Sequence, residues 1–292
     1  MTRDPFKITG PTCISFSGGR TSAFMLWRVL QSHGGKLPDE CVVCFANTGK
    51  EDEATLRFVR DCGEQWGVPI VWLEYEDHDE PAHRFKLVDF ASASRDGEPL
   101  EKVIQRKQYL PNPVTRFCTV EAKIRTMHRY LRSQGWADGD GEWDQFVGIR
   151  ADEPRRVAKI RARPSPETVR ETMVIPLADA GVTVQEVGAF WATQPFGLEL
   201  ATFNGRTLAG NCDLCFMKPP AQIQSLIKEK PERATWWIKM ENKALNSKES
   251  GAIFRTDMPK YSTLLARATA QGDLFDIELD PEAEAMSCFC GD

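Results

Sequence analysis

With 292 residues, 41% of them apolar and 27% charged, the chain has ordinary globular composition, which excludes a disordered or low-complexity protein and leaves room for one α/β domain with a smaller appendage. A formal charge of −5, from 37 Lys+Arg against 42 Asp+Glu, gives no global attraction to a phosphate backbone, so nucleic acid is neither demanded nor excluded as a partner. No segment approaches the apolar length of a membrane span and Met1-Thr-Arg-Asp-Pro-Phe-Lys7 lacks an export pattern, so a cytoplasmic location is expected, where nine cysteines point to metal binding or catalysis rather than disulfides.

Thr12-Cys-Ile-Ser-Phe-Ser17 is a short apolar run halted by Gly18-Gly19, and residues 21–31 follow with apolar side chains on nearly every side: strand, tight turn, buried helix. Residues 41–46 repeat the strand pattern, and from about Glu51 to Trp66 a helix carries Thr55, Phe58, Val59, Cys62 and Trp66 on one stripe. Residues 70–75 are a third strand. This alternation predicts parallel βαβ units, that is, an α/β fold with a Rossmann-like parallel sheet flanked by helices. Residues 78–113 lose the rhythm, broken by Pro81, Gly97, Pro99, Pro111 and Pro113, and read as a loop-rich insertion over the site. A helix begins at Thr119, with Val120, Ile124, Met127 and Leu131 on one face, and residues 145–148 are a further strand. The α/β domain is expected to span 1–176. Residues 177–292 form a smaller, mainly helical, cysteine-containing region, with helices over 184–191 and 221–240 and a weakly patterned acidic stretch at 273–284.

A glycine pair directly after a strand lets backbone approach a ligand, and the following helix aims free N–H groups and its positive end at an anion. A phosphate suits Ser17-Gly18-Gly19-Arg20-Thr21-Ser22, where three hydroxyls donate and Arg20 adds charge; a plain tight turn is the competing reading. Neither the Gly-Lys-Ser/Thr ending of the common P-loop nor a Gly-x-Gly-x-x-Gly fingerprint is present.

The segment resembles the pyrophosphate loop, Ser-Gly-Gly-x-Asp-Ser, of the adenine-nucleotide α-hydrolase-like (PP-loop) superfamily, and specifically the phosphoadenosine phosphosulfate (PAPS) reductase family. Phe45-Ala-Asn-Thr-Gly-Lys-Glu51 is similar to that family's Asn-Thr-Gly-x-Glu motif, Thr115-Arg-Phe-Cys-Thr119 with Lys123 to its Arg-x-Cys…Lys segment, and Gly148-Ile-Arg-Ala-Asp-Glu-Pro-Arg155 to its Gly-x-Arg segment. Gly210-Asn-Cys-Asp-Leu-Cys-Phe216 followed by Lys218 resembles the cysteine pair of iron–sulfur members. The resemblance implies that ATP or PAPS is bound by Ser17, Gly18, Gly19, Arg20, Thr21, Ser22, Asn47, Thr48, Gly49, Glu51, Arg116 and Arg155, with Lys123 and Arg150 as catalytic cations. Thr21 stands where the family's loop usually holds Asp. A hydroxyl cannot supply a carboxylate's charge to Mg2+, which leaves Asp152, Glu153 and Glu51 as substitutes.

Cys212 and Cys215 form a C-x-x-C in a Gly/Asn turn, suited to aiming two thiolates at one metal, and Cys118, Cys288 and Cys290 complete the candidates. By resemblance to iron–sulfur members, a [4Fe–4S] cluster is expected on Cys118, Cys212, Cys215 and Cys290, with Cys288 the rival for the last place and zinc the alternative metal. Cys13, Cys41, Cys44 and Cys62 fall on strands or an apolar helix face and are expected as buried structural thiols. His78, His83 and His128 have no metal-like spacing or evident base partner and are expected on the surface or in the insertion. Trp236-Trp237 reads as a packing pair, and Arg161 and Arg163 as surface charge.

The resemblance implies ATP cleavage between the α- and β-phosphates, with AMP passed to an acceptor, in the manner of sulfur transfer or nucleic-acid modification. One alternative is reduction of PAPS or adenylyl sulfate by Cys290 or Cys288 with release of sulfite, although the reductases' Glu-Cys-Gly-x-His ending is replaced here by Ser-Cys-Phe-Cys-Gly-Asp. The other is a nucleotide-binding module without turnover. The acceptor is undefined, with nucleic acid among the candidates, and assembly as a homo-oligomer is left open.

Overall fold

Strand β1 (Thr12–Ser15) is apolar on both faces, and it lies in the middle of a six-stranded sheet of order β4-β3-β2-β1-β5-β6. The computed structural model describes residues 4–136, 142–162, 171–203, 206–243 and 252–270; Arg163, the acidic stretch 273–284, Cys288 and Cys290 lie outside the described residues. β1 pairs in parallel with β2 (Cys41–Asn47) on one side and β5 (Trp143–Val147) on the other. β3 (Ile70–Glu74) and β6 (Glu171–Val174) extend the sheet in parallel, and only the edge strand β4 (Lys86–Val88) runs antiparallel. The chain steps outward from β1 to β3 and then returns to the other side of β1 as β5. That reversal opens a crevice at the carboxyl ends of β1 and β5, where ligands sit in sheets of this kind.

Helices cover both faces, as a doubly buried parallel sheet requires. On one face α1 (Arg20–Ser32) and α2 (Glu53–Trp66) pack Leu26, Val29, Phe58 and Val59 over Ile14 and Phe45. The same cluster takes in Leu177 of the short helix α7 (Pro176–Asp179), Val187 and Trp191 of α8 (Val184–Ala192), and Leu198. On the opposite face Met127 and Leu131 of α5 (Arg125–Ser133) meet Cys13, Cys44, Leu73 and Trp143. A second large cluster joins α9 (Pro220–Glu229), α10 (Ala234–Asn242) and α11 (Tyr261–Ala270) with α3 (Glu98–Lys107), and Trp237 and Phe254 lie at its centre. Trp236 and Trp237 are therefore packing residues, as expected, and the part of the chain beyond the sheet is mainly helical. No helix among the described residues is long and apolar enough to cross a membrane.

Several local expectations need correction. The stretch 78–113 is not simply loop: it holds β4 and the ten-residue α3, whose Pro99 is tolerated because it occupies the first turn and whose Leu100, Val103 and Ile104 face the second cluster. The helix expected at 221–240 is two, α9 and α10, because Pro231 cannot continue α9. The helix expected from Thr119 starts earlier, as α4 (Phe117–Thr119), and widens into a π turn at Val120–Ile124 before α5. α6 (Pro154–Arg161) follows β5, and Arg161 is a surface charge paired with Asp179 at 2.7 Å.

His128 is not a surface residue. It is buried, and its Nε2 lies 2.7 Å from the buried Glu171 Oε2, tying α5 to the edge strand β6. Sequence could not pair residues 43 positions apart. Replacing Glu171 by Ala removes the partner of a buried polar group, so urea denaturation of the variant should show a loss of about 1–3 kcal/mol, whereas Glu171→Gln, which keeps an acceptor, should lose less.

Candidate functional site

The segment 17–22 turns from β1 into α1 at the centre of the sheet. Gly18 has φ +80°, a region that favours glycine, and a Cβ there would lie 2.7 Å from Thr55 Cγ2 and 3.3 Å from the Phe45 ring. Glycine is thus required both for the turn and for its packing on α2. Inside the turn the Ser22 hydroxyl accepts from Ser17 N–H at 3.2 Å and donates to the Gly19 carbonyl at 3.0 Å, while Ser17 Oγ stands 2.9 Å away. Gly19 caps α1 without a side-chain hydrogen bond, so the first-turn N–H groups of a thirteen-residue helix face the crevice with their dipole. The guanidinium of Arg20 donates to the Leu198 carbonyl at 2.8 Å, which fastens the start of α1 to the segment after α8.

Across the crevice, β5 ends at Gly148, where a Cβ would come within 3.0 Å of Ser22 Cα. This close approach delivers Arg150 to the loop: its Nη1 donates to Thr21 Oγ1 at 2.9 Å, and its Nε to Asp152 Oδ1 at 2.9 Å. Arg150 is only 7% exposed. The position where a carboxylate was expected to matter is therefore occupied by a hydroxyl that receives a cation's hydrogen bond. Asp152 also accepts from Val184 N–H at 3.1 Å, and Glu153 is ion-paired with Arg156 and accepts from Arg150 N–H at 2.9 Å.

The third strand end supplies residues 47–51. Asn47 is buried and donates to Glu74 at 2.6 Å and to the Ser94 carbonyl at 2.8 Å; its own oxygen accepts from Gly49 N–H at 3.1 Å. Glu51 accepts from the Thr48 N–H and hydroxyl, both at 2.8 Å, and from Lys123 Nζ at 3.2 Å. Burial alone pushes the Glu51 carboxyl up, but the Lys123 ammonium and the Thr48 hydrogen bonds outweigh it and hold the group below the usual carboxylate range. Lys123 sits buried in the π turn and reaches Glu51 from there.

The cysteine loop docks on this same segment. Cys212 forms an antiparallel bridge with Glu51, and its sulfur lies 3.4 Å from Thr48 Oγ1. Burial, reinforced by the Glu51 carboxylate, pushes the Cys212 thiol up to about 12. Lys218 does not face a ligand: its Nζ clamps the Gly210 and Cys212 carbonyls at 2.6 and 2.7 Å. Tyr261 donates to the Leu214 carbonyl at 2.6 Å and closes the loop from the side of α11. Cys118, Cys212 and Cys215 are half-buried against one apolar cluster, yet among the described residues no three of His, Cys, Asp and Glu are grouped to hold a metal ion. Cys13, Cys44 and Cys62 are buried thiols of the sheet and α2, as expected, and Cys41 is half-buried on β2.

The structure thus gathers 17–22, 47–51, Lys123 and Arg150 at one sheet edge, with Cys212 behind 47–51. Arg116 is half-buried at the start of α4, and Arg155 is exposed on α6. Beside these segments, buried ion pairs of Lys50 with Asp213 at 3.2 Å and of Asp52 with Arg233 at 2.8 Å also escaped sequence reasoning. A single cation and a single carboxylate far apart in sequence carry no spacing signal, although Asp52 before an apolar stripe reads as a helix cap.

No family model matches the chain. Among curated proteins it is similar to the uncharacterized nin region protein ORF290 of Escherichia phage lambda, 28% identical over 222 residues that cover 74% of this chain and 69% of the phage protein. It is also similar to the uncharacterized protein MJ0066 of Methanocaldococcus jannaschii, 24% identical over 242 residues that cover 81% of this chain and 42% of the archaeal one.

Asp52 caps α2 through Ala54 N–H at 3.0 Å and neutralises the buried Arg233. Burial pushes its carboxyl up, but the Ala54 N–H and Arg233 outweigh it and leave its pKa below the ordinary value. The stability it contributes is therefore present above the unfolded pKa of about 3.9 and is lost as pH falls through the lower folded value. Asp52→Ala should cost about 1–3 kcal/mol in urea denaturation at neutral pH, because α2 loses its cap and the buried Arg233 keeps only the exposed Glu229, 3.2 Å away, as a carboxylate partner, and the variant's acid limb should be flatter than that of the wild type.

Proposed function

We propose that the chain is a PP-loop protein of the PAPS reductase type that binds an adenine nucleotide with its phosphates on residues 17–22 and cleaves it at the α-phosphate, taking ATP and passing AMP to an acceptor. The observation that carries this reading is the bond from Arg150 to Thr21 across the crevice between β1 and β5. It sets a buried guanidinium against a helix N-terminus, so two sources of positive potential converge on one point where phosphate charge can be held. When pyrophosphate departs from the α-phosphate, Arg150 and the free N–H groups of α1 stabilise its growing charge, and Lys123 adds a further cation from the adjoining segment.

The cysteines behind the nucleotide segment suit a thiophilic group by donor type, although the described residues do not gather three of them around one point. Cys118, Cys212 and Cys215 are soft ligands bordering one apolar cluster, and Cys290 or Cys288, outside the described residues, supplies the remaining thiolate for a [4Fe–4S] cluster or zinc. Such a group would bring electron transfer or sulfur chemistry beside the activated acceptor. The chain's own part is to hold Cys212 against Glu51 and Thr48.

A second reading, reduction of PAPS or adenylyl sulfate, is favoured by one observation. Thr21 receives Arg150, and Asp152, Glu153 and Glu51 are all engaged by cations, so the cradle presents no uncommitted carboxylate to Mg2+ among these candidates. Under the ATP reading any Mg2+ therefore enters on the nucleotide, whereas a sulfonucleotide needs none.

Calorimetric titration with ATP, AMP, PAPS and adenylyl sulfate tests both. Arg150→Ala should weaken the bound nucleotide by about 10- to 150-fold, the equivalent of one or two charge-assisted hydrogen bonds. Release of labelled pyrophosphate from ATP selects the first reading and sulfite from PAPS the second; no binding to any of the four rejects both. Anaerobic purification should give a protein with iron and sulfide in equal amounts and a broad visible absorption, and zinc alone would replace the cluster with a structural metal.

A further inference from the structure

Residues 48, 50, 51 and 52 each grip the C-terminal helical region, and the grip is stronger than docking of a loop demands. Thr48 meets Cys212, Glu51 bridges to Cys212, and Asp52 holds Arg233. Lys50 makes the central contact: its Nζ lies 3.2 Å from Asp213 Oδ2, its carbonyl accepts from Asp213 N–H at 2.7 Å, and its ammonium stands 5.5 Å from the centre of the Trp236 ring. Asp213 in turn accepts from Trp237 Nε1 at 2.9 Å and from Leu214 N–H at 2.7 Å. Both charges of the Lys50–Asp213 pair are about nine-tenths buried, so neither is screened by solvent and neither can separate from the other without a large desolvation cost.

The packing around this pair leaves no slack. A Cβ on Gly49 would lie 2.9 Å from the Gly97 backbone nitrogen, and a Cβ on Gly97 would lie 2.4 Å from Trp236 Nε1 and 2.9 Å from Lys50 Cδ. Gly49, Gly97 and the Trp236 indole are therefore stacked at backbone distance, and a shift of 47–51 is passed on to α10 rather than absorbed. At the other end, Gly18 of the phosphate loop packs directly on Thr55 and Val59 of α2, the helix whose cap holds Arg233. A continuous set of contacts thus runs from the phosphate loop through α2 and 47–52 to the cysteine loop. Side chains packed this tightly rearrange together.

We infer that Lys50 is a positioning residue that couples the phosphate loop to the cysteine loop, so that a nucleotide on 17–22 and the closed docking of 210–216 against 48–51 stabilise each other. This rests on the nucleotide reading above and adds the regulation of that site. The element on which the coupling acts is the segment 210–216, which belongs to no sheet and is held by the Glu51–Cys212 bridge, the Lys50–Asp213 pair and the Lys218 clamp. Linkage makes the effect reciprocal: whatever holds 210–216 closed raises nucleotide affinity by the factor with which nucleotide closes 210–216.

Hydrogen–deuterium exchange of the full chain, read by mass spectrometry with and without saturating ATP, tests the coupling. In the wild type ATP should slow exchange across 210–216 by about tenfold, within the usual range of coupling between sites. Lys50→Met alone leaves Asp213 buried and unpaired, so the decisive variant is Lys50→Met with Asp213→Asn, which removes both charges and keeps the acceptor for Trp237. That variant should still bind ATP by calorimetry while its 210–216 exchange no longer responds, and Lys50→Arg should restore the response. ATP binding to the wild type with unchanged exchange at 210–216 overturns the coupling, as does a double variant that responds like the wild type. A wild type that binds no ATP overturns the coupling to ATP, and one that binds none of ATP, AMP, PAPS and adenylyl sulfate overturns the nucleotide reading itself, outcomes that the calorimetry separates.

Discussion

The rest of the structure depends on β1 being buried from both faces and paired on both edges. Because its neighbours β2 and β5 both run parallel to it, the chain must reverse direction across it, and the crevice opens where β1 ends. The segments 17–22, 47–51 and 148–150 are arranged around that end. Gly18 and Gly148 lack side chains because the turn packs on α2 on one side and β5 meets the start of α1 on the other. The turn 17–22 therefore has little freedom to distort, and the dipole of α1 and the guanidinium of Arg150 are held facing the crevice. Preorganised charge of this kind costs no reorientation when an anion binds.

Much of this was legible in the sequence. Uninterrupted apolar runs between helical stripes reveal strands buried on both faces, and a glycine pair closing the first of them marks the turn at its carboxyl end. The ordered motifs at 17–22, 47–51 and 148–150 do lie at adjacent strand ends, as a parallel sheet demands. What stayed hidden depends on long-range pairing. His128 and Glu171, Lys50 and Asp213, and Asp52 and Arg233 are single charges separated by many residues, and nothing in local composition distinguishes a buried partner from a solvated one. The helix α3 was obscured for a different reason: Pro99 and Gly97 signal a break, yet here they are the start of a helix rather than its end.

The acidic residues illustrate how context reverses a reading of composition. Asp152, Glu153 and Glu51 resemble cation ligands when counted along the chain. In the fold each is already opposed by a guanidinium or an ammonium, and Glu51 is held ionised by Lys123 and Thr48 against its burial. Their work is to orient Arg150, Arg156 and Lys123. A carboxylate committed in this way fixes the geometry of its cation, so buried positive groups can be held in place in a chain whose formal charge is −5.

The segment 47–52 carries two duties that are usually kept apart. Its backbone stands at the sheet edge beside the phosphate loop, while the side chains of Thr48, Lys50 and Asp52 and the backbone of Glu51 reach into the cysteine-bearing region. Had the two regions met through exposed polar contacts, each could move alone at a cost near zero. Burial of the ion pairs and the glycine contacts at 49 and 97 removes that independence, because opening the joint strands charges in an apolar setting. A motif that reads as a nucleotide contact is thus, in its side chains, mainly a fastening. The consequence is that the cysteine loop and the turn 17–22 are joined by one continuous set of buried contacts through α2 and 47–52.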